Sequence, residues 1–233
     1  MQLLEKTLQD KYYLISALKN NEDKQVLRLR HKELEQDIIK ISYRGNADVY
    51  RTLLSVTHPN LPNILEVWQQ DDRVCILEEY IEGMSVADTM AAKFFSEKEV
   101  RYIVAQLCDA LDYLHQAKII HRDIKPENVM LTKENRGVLI DFDAARSYKL
   151  YSSEDTRMMG TTGYAAPEQF GFAQSDERTD IFALGVLMNV MLTGRHPSVH
   201  LYDGKLRRVI EKCVRMDPAG RYPSVLYLKK NLL

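Results

Sequence analysis

The sequence predicts an α+β fold in two lobes, a small antiparallel β-sheet with one main helix followed by a larger, mainly helical lobe. Short runs rich in Ile, Val, Leu and Tyr come first, and after the segment IEGMS the apolar residues recur at helical spacing. With 45% hydrophobic residues among 233, the chain can form a substantial core. We expect one domain over 1–233, with a small lobe at 1–78, a hinge at 79–83 and a large lobe at 84–233.

Four runs in the first part of the chain have the composition of strands. Polar turns separate them, and one predicted helix, NADVYRTLLSVT, interrupts them and ends before HPN. The four predicted strands are YYLISAL, KQVLRLRHK, QDIIKIS and RVCILEEY.

Three helices are predicted in the large lobe. The first, Ser96–Gln116, starts with a capping box of Ser96 and Glu99. The second, TDIFALGVLMNVMLTG, is opened by Thr179 or Asp180 and closed by Gly194. The third, KLRRVIEKCVRM, stops at a proline.

Charge and cysteine content exclude several classes of protein. There are 32 Lys and Arg against 33 Asp and Glu, so no bulk positive charge attracts nucleic acid or an acidic membrane surface. The three widely spaced cysteines indicate reduced thiols in a cytoplasmic protein. The N-terminus MQLLEKTLQD is charged too early for a signal peptide, and the longest apolar stretch, Ile181–Leu192, is too short to span a bilayer.

The segment HRDIKPEN, residues 121–128, has the groups that phosphoryl transfer needs. Asp123 would accept the proton of an attacking hydroxyl, and Lys125 would neutralise the moving phosphoryl group. Asn128 would bind Mg²⁺, and Asp141 in the tripeptide DFD would be the second metal ligand, because Mg²⁺ prefers hard oxygens and takes only one or two from protein.

These motifs resemble those of a eukaryotic-type (Hanks-type) Ser/Thr protein kinase of the bacterial kind. HRDIKPEN resembles the catalytic loop, LIDFDAA the metal-binding turn, and GTTGYAAPEQ the end of an activation segment. The resemblance also implies that Asp180 anchors the catalytic loop and that Glu168 pairs with Arg221. It implies a protein-kinase-like fold, ATP and Mg²⁺ as cofactors, and a protein substrate bearing Ser or Thr, with autophosphorylation as an option.

The resemblance assigns the nucleotide-binding residues as well. Lys40 in IIKI would bind the α- and β-phosphates and so belong to the catalytic set, and Val26 would follow the phosphate loop. Glu78 falls on the gatekeeper position. The remaining positions assigned to nucleotide binding are the hinge residues Glu79, Tyr80 and Ile81, through their backbone, and Met130.

The chain departs from the family pattern in three places. Lys19, Asn21 and Lys24 occupy the positions of the three loop glycines, and Asp143 replaces the glycine of the metal-binding tripeptide. Val49 stands where the small-lobe helix should carry the glutamate that pairs with Lys40.

Two carboxylates are candidates for the partner of Lys40. Asp48 is one residue, about 100°, off the expected helix face. Glu78 would lie on a strand next to that of Lys40, and an unpaired buried charge there would be costly. We therefore expect Glu78 to pair with Lys40.

The activation segment is expected to carry a regulatory phosphate. Arg122 could bind such a phosphate, and Thr156 is the best acceptor, followed by Ser152 and Ser153. By resemblance, Thr161 lies in the substrate-binding loop.

Two other functions remain open from the sequence. A pseudokinase that binds nucleotide or a partner protein is favoured by the lost glycines and the displaced glutamate. A small-molecule phosphotransferase of similar fold is less favoured, because AAPEQ and Arg221 resemble the protein-kinase substrate platform.

Overall fold

The computed structural model describes residues 2–147, 163–170 and 175–232. The chain divides into two compact units, one made of Met1–His58 with Pro62–Ile81 and the other of Pro59–Leu61 with Glu82–Leu233. The first contains an antiparallel sheet of five strands and the second is mainly helical, which confirms the predicted α+β class.

Asn60 explains why a short piece of the N-terminal half belongs to the second unit. This buried residue donates a hydrogen bond from Nδ2 to Gly137 O at 2.7 Å, and its own carbonyl accepts one from Leu139 N at 2.9 Å. These bonds satisfy polar groups of Asn60 that would be costly to bury unpaired.

The first unit is built on a sheet with the strand order β1-β2-β3-β5-β4. Its helices and strands are α1 (Gln2–Lys11), β1 (Tyr12–Asn20), β2 (Lys24–His31), β3 (Asp37–Arg44), α2 (Asp48–Leu53), β4 (Ile64–Gln70) and β5 (Arg73–Glu79).

Cross-strand register decides which side chains share a face of this sheet. Lys40 in β3 lies opposite Leu27 in β2 and Leu77 in β5, so these three side chains point to the same face. On that face a core cluster forms from four buried residues, and α1 contributes one of them. The cluster consists of Leu8, Leu29, Ile38 and Leu77.

Three features of the first unit differ from the sequence prediction. The helix α1 and the strand β4 were not predicted, and the one predicted helix is limited to Asp48–Leu53. Helix α1 has a narrow apolar stripe, Leu4 and Leu8, and tertiary packing on the sheet stabilises it.

The second unit contains helices and short strands. They are β6 (Gly83–Ser85), α3 (Val86–Ala92), α4 (Glu97–Gln116), β7 (Ile119–Ile120), β8 (Val129–Thr132), β9 (Gly137–Leu139), β10 (Arg146–Ser147), α5 (Glu177–Thr193), α6 (Arg207–Cys213) and α7 (Val225–Leu232).

The ends of the two long helices test the predicted caps. The capping box of Ser96 and Glu99 at the start of α4 is confirmed. Helix α5 begins earlier than predicted, because the Asp176 side chain accepts a hydrogen bond from Arg178 N and acts as the N-cap. Gly194 ends α5 with φ 69°, as predicted, in the left-handed region that glycine adopts readily.

Among the residues that the structure describes, no helix combines the length and apolar composition needed to cross a bilayer.

Candidate active site

The catalytic-loop residues converge on the carboxylate of Asp123. Lys125 Nζ lies 2.7 Å from Asp123 Oδ2, and Asn128 Nδ2 donates to the same oxygen at 2.9 Å. A 3-10 helix, Pro126–Asn128, turns Asn128 back towards the loop, where Nδ2 also donates to Asp123 O at 2.8 Å. Asp123 keeps 15% of its side-chain surface exposed and Lys125 19%, so the cluster is accessible from outside.

Buried Asp180 fixes the backbone of this loop. Its carboxylate accepts hydrogen bonds from His121 N at 3.0 Å and from Arg122 N at 2.9 Å, and it lies 2.8 Å from His115 Nε2. Burial alone would raise the pKa of Asp180, but His115 and the hydrogen-bond donors around it outweigh burial and hold this pKa below its usual value. The predicted anchoring role of Asp180 is confirmed.

Arg122 has φ 69°, a left-handed conformation that is uncommon outside glycine. The two hydrogen bonds of Asp180 to the backbone hold the loop in this conformation.

The turn that carries Asp141 follows β9 and lies beside the loop that carries Asn128. Ile140 N donates to Asn128 O at 2.9 Å, which places Asp141 next to the segment that carries Asn128. Asp141 has φ 69°, and its Oδ1 accepts a hydrogen bond from Asp143 N at 3.3 Å. The positive φ of this turn is therefore at Asp141, and Asp143 does not need the glycine conformation.

Asn128 and Asp141 fit a magnesium ion by the chemistry of their donors. Because Asn128 Nδ2 is used by Asp123, its Oδ1 remains the acceptor that a hard cation prefers. In the described part of the chain, no cluster of three or more His, Cys, Asp or Glu forms a further candidate metal site. Two protein ligands are what Mg²⁺ commonly takes.

A buried ion pair lies at the end of the segment that contains AAPEQ. Arg221 Nη1 and Nη2 contact the two carboxylate oxygens of Glu168 at 2.7 and 2.9 Å, and Thr179 Oγ1 donates to Glu168 at 2.9 Å. The predicted pair of Glu168 and Arg221 is confirmed, in a bidentate geometry.

In the first unit, the partner of Lys40 is Glu5 of helix α1. Lys40 Nζ contacts Glu5 Oε1 at 2.6 Å and Oε2 at 2.8 Å. The prediction that Glu78 pairs with Lys40 is wrong, because Glu78 lies opposite Ile39 in the sheet and so points to the other face. The alternation of side chains along a strand therefore overrides the energetic argument for pairing two buried charges.

Val26 is also on the face opposite to Lys40. It pairs with Ile41 in β3 and with Lys19 in β1, so Val26 and Lys19 are not brought together with Lys40.

In the turn between β1 and β2, a side chain accepts hydrogen bonds from backbone N–H groups, which in a glycine-rich loop would be available to bind phosphate. Asn21 Oδ1 accepts hydrogen bonds from Asp23 N at 3.1 Å and Lys24 N at 2.8 Å. Next to this turn is a cavity of about 410 Å³. Lys24 and Lys40 are both among the residues that line it, although their side chains leave the sheet on opposite faces, because Lys24 lies opposite Tyr43 and Lys40 lies opposite Leu27.

The remaining predicted nucleotide ligands lie in both units. Glu79 N donates to Asn63 O at 2.9 Å, Tyr80 stacks with Arg28, whose guanidinium carbon is 4.0 Å from the ring centroid, and Ile81 is buried. Met130 is in β8, in the second unit, opposite Ser85. Thr156, Ser152, Ser153 and Thr161 lie outside the described residues.

Glu5 and the ordering of the β1–β2 turn by Asn21 were missed from sequence. The sequence signal for Glu5 is weak. Leu4 and Leu8, four residues apart, indicate a short apolar stripe of a helix, and Glu5 is the acidic residue next to Leu4. The signal for Asn21 is the tendency of Asn to hydrogen-bond backbone groups two and three residues further on.

Comparison with known proteins assigns the family. Residues 16–219 match the family described as protein kinase domain, and the chain therefore belongs to the protein kinase family.

Similar curated proteins include Ser/Thr kinases of three bacteria. The chain is 30% identical to the Probable serine/threonine-protein kinase CPE1738 of Clostridium perfringens, over 95% of this chain and 38% of the relative. It is 30% identical to the Serine/threonine-protein kinase PrkC of Bacillus subtilis, over 75% and 28%, and 34% identical to the Serine/threonine-protein kinase pkn2 of Myxococcus xanthus, over 68% and 19%. The chain thus spans well under half the length of these relatives.

Proposed function

We propose that this chain is an ATP- and Mg²⁺-dependent protein-serine/threonine kinase domain. The observation that carries the proposal is the convergence of Lys125 and Asn128 on Asp123, at 2.7 and 2.9 Å. This arrangement has a carboxylate to orient a hydroxyl, a cation beside it and an amide oxygen for a metal, which are the groups that phosphoryl transfer requires.

In this proposal, Asp123 accepts the proton of the substrate hydroxyl. Lys125 holds a positive charge beside it, and Asn128 both orients Asp123 and, with Asp141, would hold Mg²⁺. Bound Mg-ATP supplies the γ-phosphoryl group and the charge of the metal. Lys40 would bind the α- and β-phosphates.

The remaining proposed nucleotide contacts are those with adenine and at the gatekeeper position. The backbone of Glu79, Tyr80 and Ile81 would bind adenine, and Met130 and Val26 remain assigned by resemblance. Glu78 is the gatekeeper by alignment, although its side chain lies on the face opposite to Lys40.

A protein substrate is favoured over a small molecule by the buried pair of Glu168 and Arg221, which stabilises the end of the activation segment. Lys125 and the Ser/Thr kinases among the relatives favour Ser or Thr as acceptors, with autophosphorylation in the same reaction class.

The three free, buried cysteines support a reducing cytoplasmic location, and the bacterial relatives support a bacterial origin.

The test is transfer of labelled phosphate from Mg-ATP, with the protein alone and with a generic basic protein. Wild type should label Ser or Thr in protein, and Asp123→Asn should lower kcat by about 10²-fold or more while ATP affinity changes little. Asp203→Asn is the matched control, since Asp203 is 85% exposed and its surface ion pair contributes little.

Two results would contradict the proposal. Nucleotide binding without any transfer would favour a pseudokinase. Transfer to small metabolites but to no protein would favour the small-molecule phosphotransferase.

A further inference from the structure

Lys40 is held by a carboxylate from a helix that precedes the sheet. Its side chain is only 7% exposed, and its Nζ contacts both carboxylate oxygens of Glu5, at 2.6 and 2.8 Å. Within the described residues, the Lys40 side chain makes no other hydrogen bond. A buried ammonium needs a counter-charge, so Glu5 determines where Lys40 Nζ lies.

The two carboxylates that the sequence offered as partners of Lys40, Asp48 and Glu78, lie elsewhere. Val49, at the expected position in α2, is a buried apolar residue, and Asp48 beside it is exposed and contacts Arg51 at 3.1 Å. Glu78 is on the opposite face of the sheet. The short helix α2 therefore leaves the role of positioning Lys40 to another element.

Helix α1 is fixed to the sheet at several points. Leu8 belongs to the core cluster on the Lys40 face, and Leu4 packs against that cluster. Lys32 holds the C-terminal end of the helix, with Nζ donating to Gln9 O at 2.8 Å and its backbone N donating to Lys11 O at 2.9 Å. The Glu5 carboxylate is consequently held by packing and by hydrogen bonds, so it is preorganised for Lys40.

The geometry leaves Lys40 able to bind an anion. Glu5 and Lys40 both line the cavity of about 410 Å³ beside the β1–β2 turn, and Glu5 is 44% exposed. An ammonium group has three N–H donors, and the two contacts with Glu5 use at most two of them. One donor remains for a phosphate oxygen entering from the cavity.

We infer that Glu5 is a positioning residue for Lys40, so that α1 takes the part that a glutamate in α2 takes in the family pattern. The inference rests on the proposed function, because it concerns the lysine proposed to bind the nucleotide phosphates. Glu5 acts through Lys40 by fixing the direction of the ammonium group, and it does not touch the reacting atoms.

The experiment compares Glu5→Gln, Glu5→Asp and Asp10→Asn in the full chain. Asp10 is the matched control, since it is an exposed acid on the same helix. Glu5→Gln should lower kcat/KM for ATP by about 10²-fold, because a displaced lysine misaligns the phosphates. Glu5→Asp should be intermediate, since it keeps the charge on a shorter arm, and Asp10→Asn should match wild type.

A second measurement does not depend on turnover. Acetylation of Lys40 by an amine-directed reagent, followed by mass spectrometry, should be faster in Glu5→Gln than in wild type or Asp10→Asn, because the ammonium loses its partner. Unfolding midpoints of all variants show whether the fold is retained. If Glu5→Gln does not fold, Glu5→Asp is judged on the same two readouts.

The outcomes separate this inference from the proposed function. A kcat/KM for Glu5→Gln within about twofold of that for Asp10→Asn would overturn the inference. An increase would also overturn it, and would instead indicate that α1 obstructs nucleotide binding. If wild type transfers no phosphate, the proposed function fails and the acetylation experiment alone decides the inference. Equal acetylation rates of Lys40 in wild type and Glu5→Gln would overturn it, and a faster rate in Glu5→Gln would support it.

Discussion

Replacing Arg221 by alanine tests its ion pair with Glu168, the glutamate of the segment AAPEQ. The guanidinium has five N–H donors, and all five are used. Nη1 and Nη2 each contact Glu168, and the other three donors contact the backbone carbonyls of Arg178, Arg215 and Met216, at 2.9, 2.8 and 3.2 Å. The Arg221 side chain is fully buried and that of Glu168 is 4% exposed.

The expected cost follows from this burial. Arg221→Ala leaves the Glu168 carboxylate inside the protein with the hydroxyl of Thr179 as a remaining donor, and it also removes one donor from each of three backbone carbonyls. Removing one member of a buried pair typically costs about 3–5 kcal/mol. For a protein of this size, about 2–4 °C of melting temperature is lost per kcal/mol, so we expect a decrease of roughly 6–20 °C.

The assay is calorimetric unfolding of wild type, Arg221→Ala, Arg221→Lys and the double variant Arg221→Met with Glu168→Leu. Arg221→Lys should be intermediate, because it keeps the charge and loses the bidentate geometry. The double variant should lose less than Arg221→Ala, since no charge is left unpaired. Equal melting temperatures for wild type and Arg221→Ala would refute the reasoning.

Three further predictions concern the second unit. Burial lowers the pKa of His121 below its ordinary 6.5, so below pH 6.5 the unfolded chain binds a proton that the folded chain does not, and the free energy of unfolding should decrease as the pH drops. His121→Gln should reduce this dependence of the melting temperature on pH. A Cβ at Gly83 would lie 2.1 Å from Leu131 O, so Gly83→Ala should destabilise the unit by about 1–3 kcal/mol in urea unfolding, and an unchanged midpoint would contradict the close approach of the two backbones. Asn128→Leu removes two hydrogen bonds to Asp123 and should lower kcat by at least about 10²-fold in the phosphate-transfer assay, whereas full turnover would exclude Asn128 from the site.

Local sequence determined the features whose residues are close together in the chain. Asp123, Lys125 and Asn128 are within six positions of one another, and a single loop with a 3-10 turn is sufficient to bring them together. The capping box at Ser96 and the left-handed Gly194 are likewise properties of a few consecutive residues. Such features can be predicted because the backbone itself limits how the side chains meet.

Resemblance to a family extended the prediction to residues far apart in the chain. The anchoring of the catalytic loop by Asp180 and the pair of Glu168 with Arg221 join segments separated by 53 residues or more, and the family motifs indicated both. These contacts were predictable because the motif residues are present in this chain at the matching positions.

Only the tertiary structure decided the partner of Lys40. Glu5 is 35 residues away and belongs to a helix whose position depends on packing against the sheet. Glu78 was excluded by register, because a shift of one residue along a strand turns a side chain to the opposite face, and register is set by the pairing of whole strands. The sequence therefore predicted that Asp123, Lys125 and Asn128 lie together, whereas the orientation of the sheet residues and the contact of α1 with Lys40 depended on contacts made only in the folded chain.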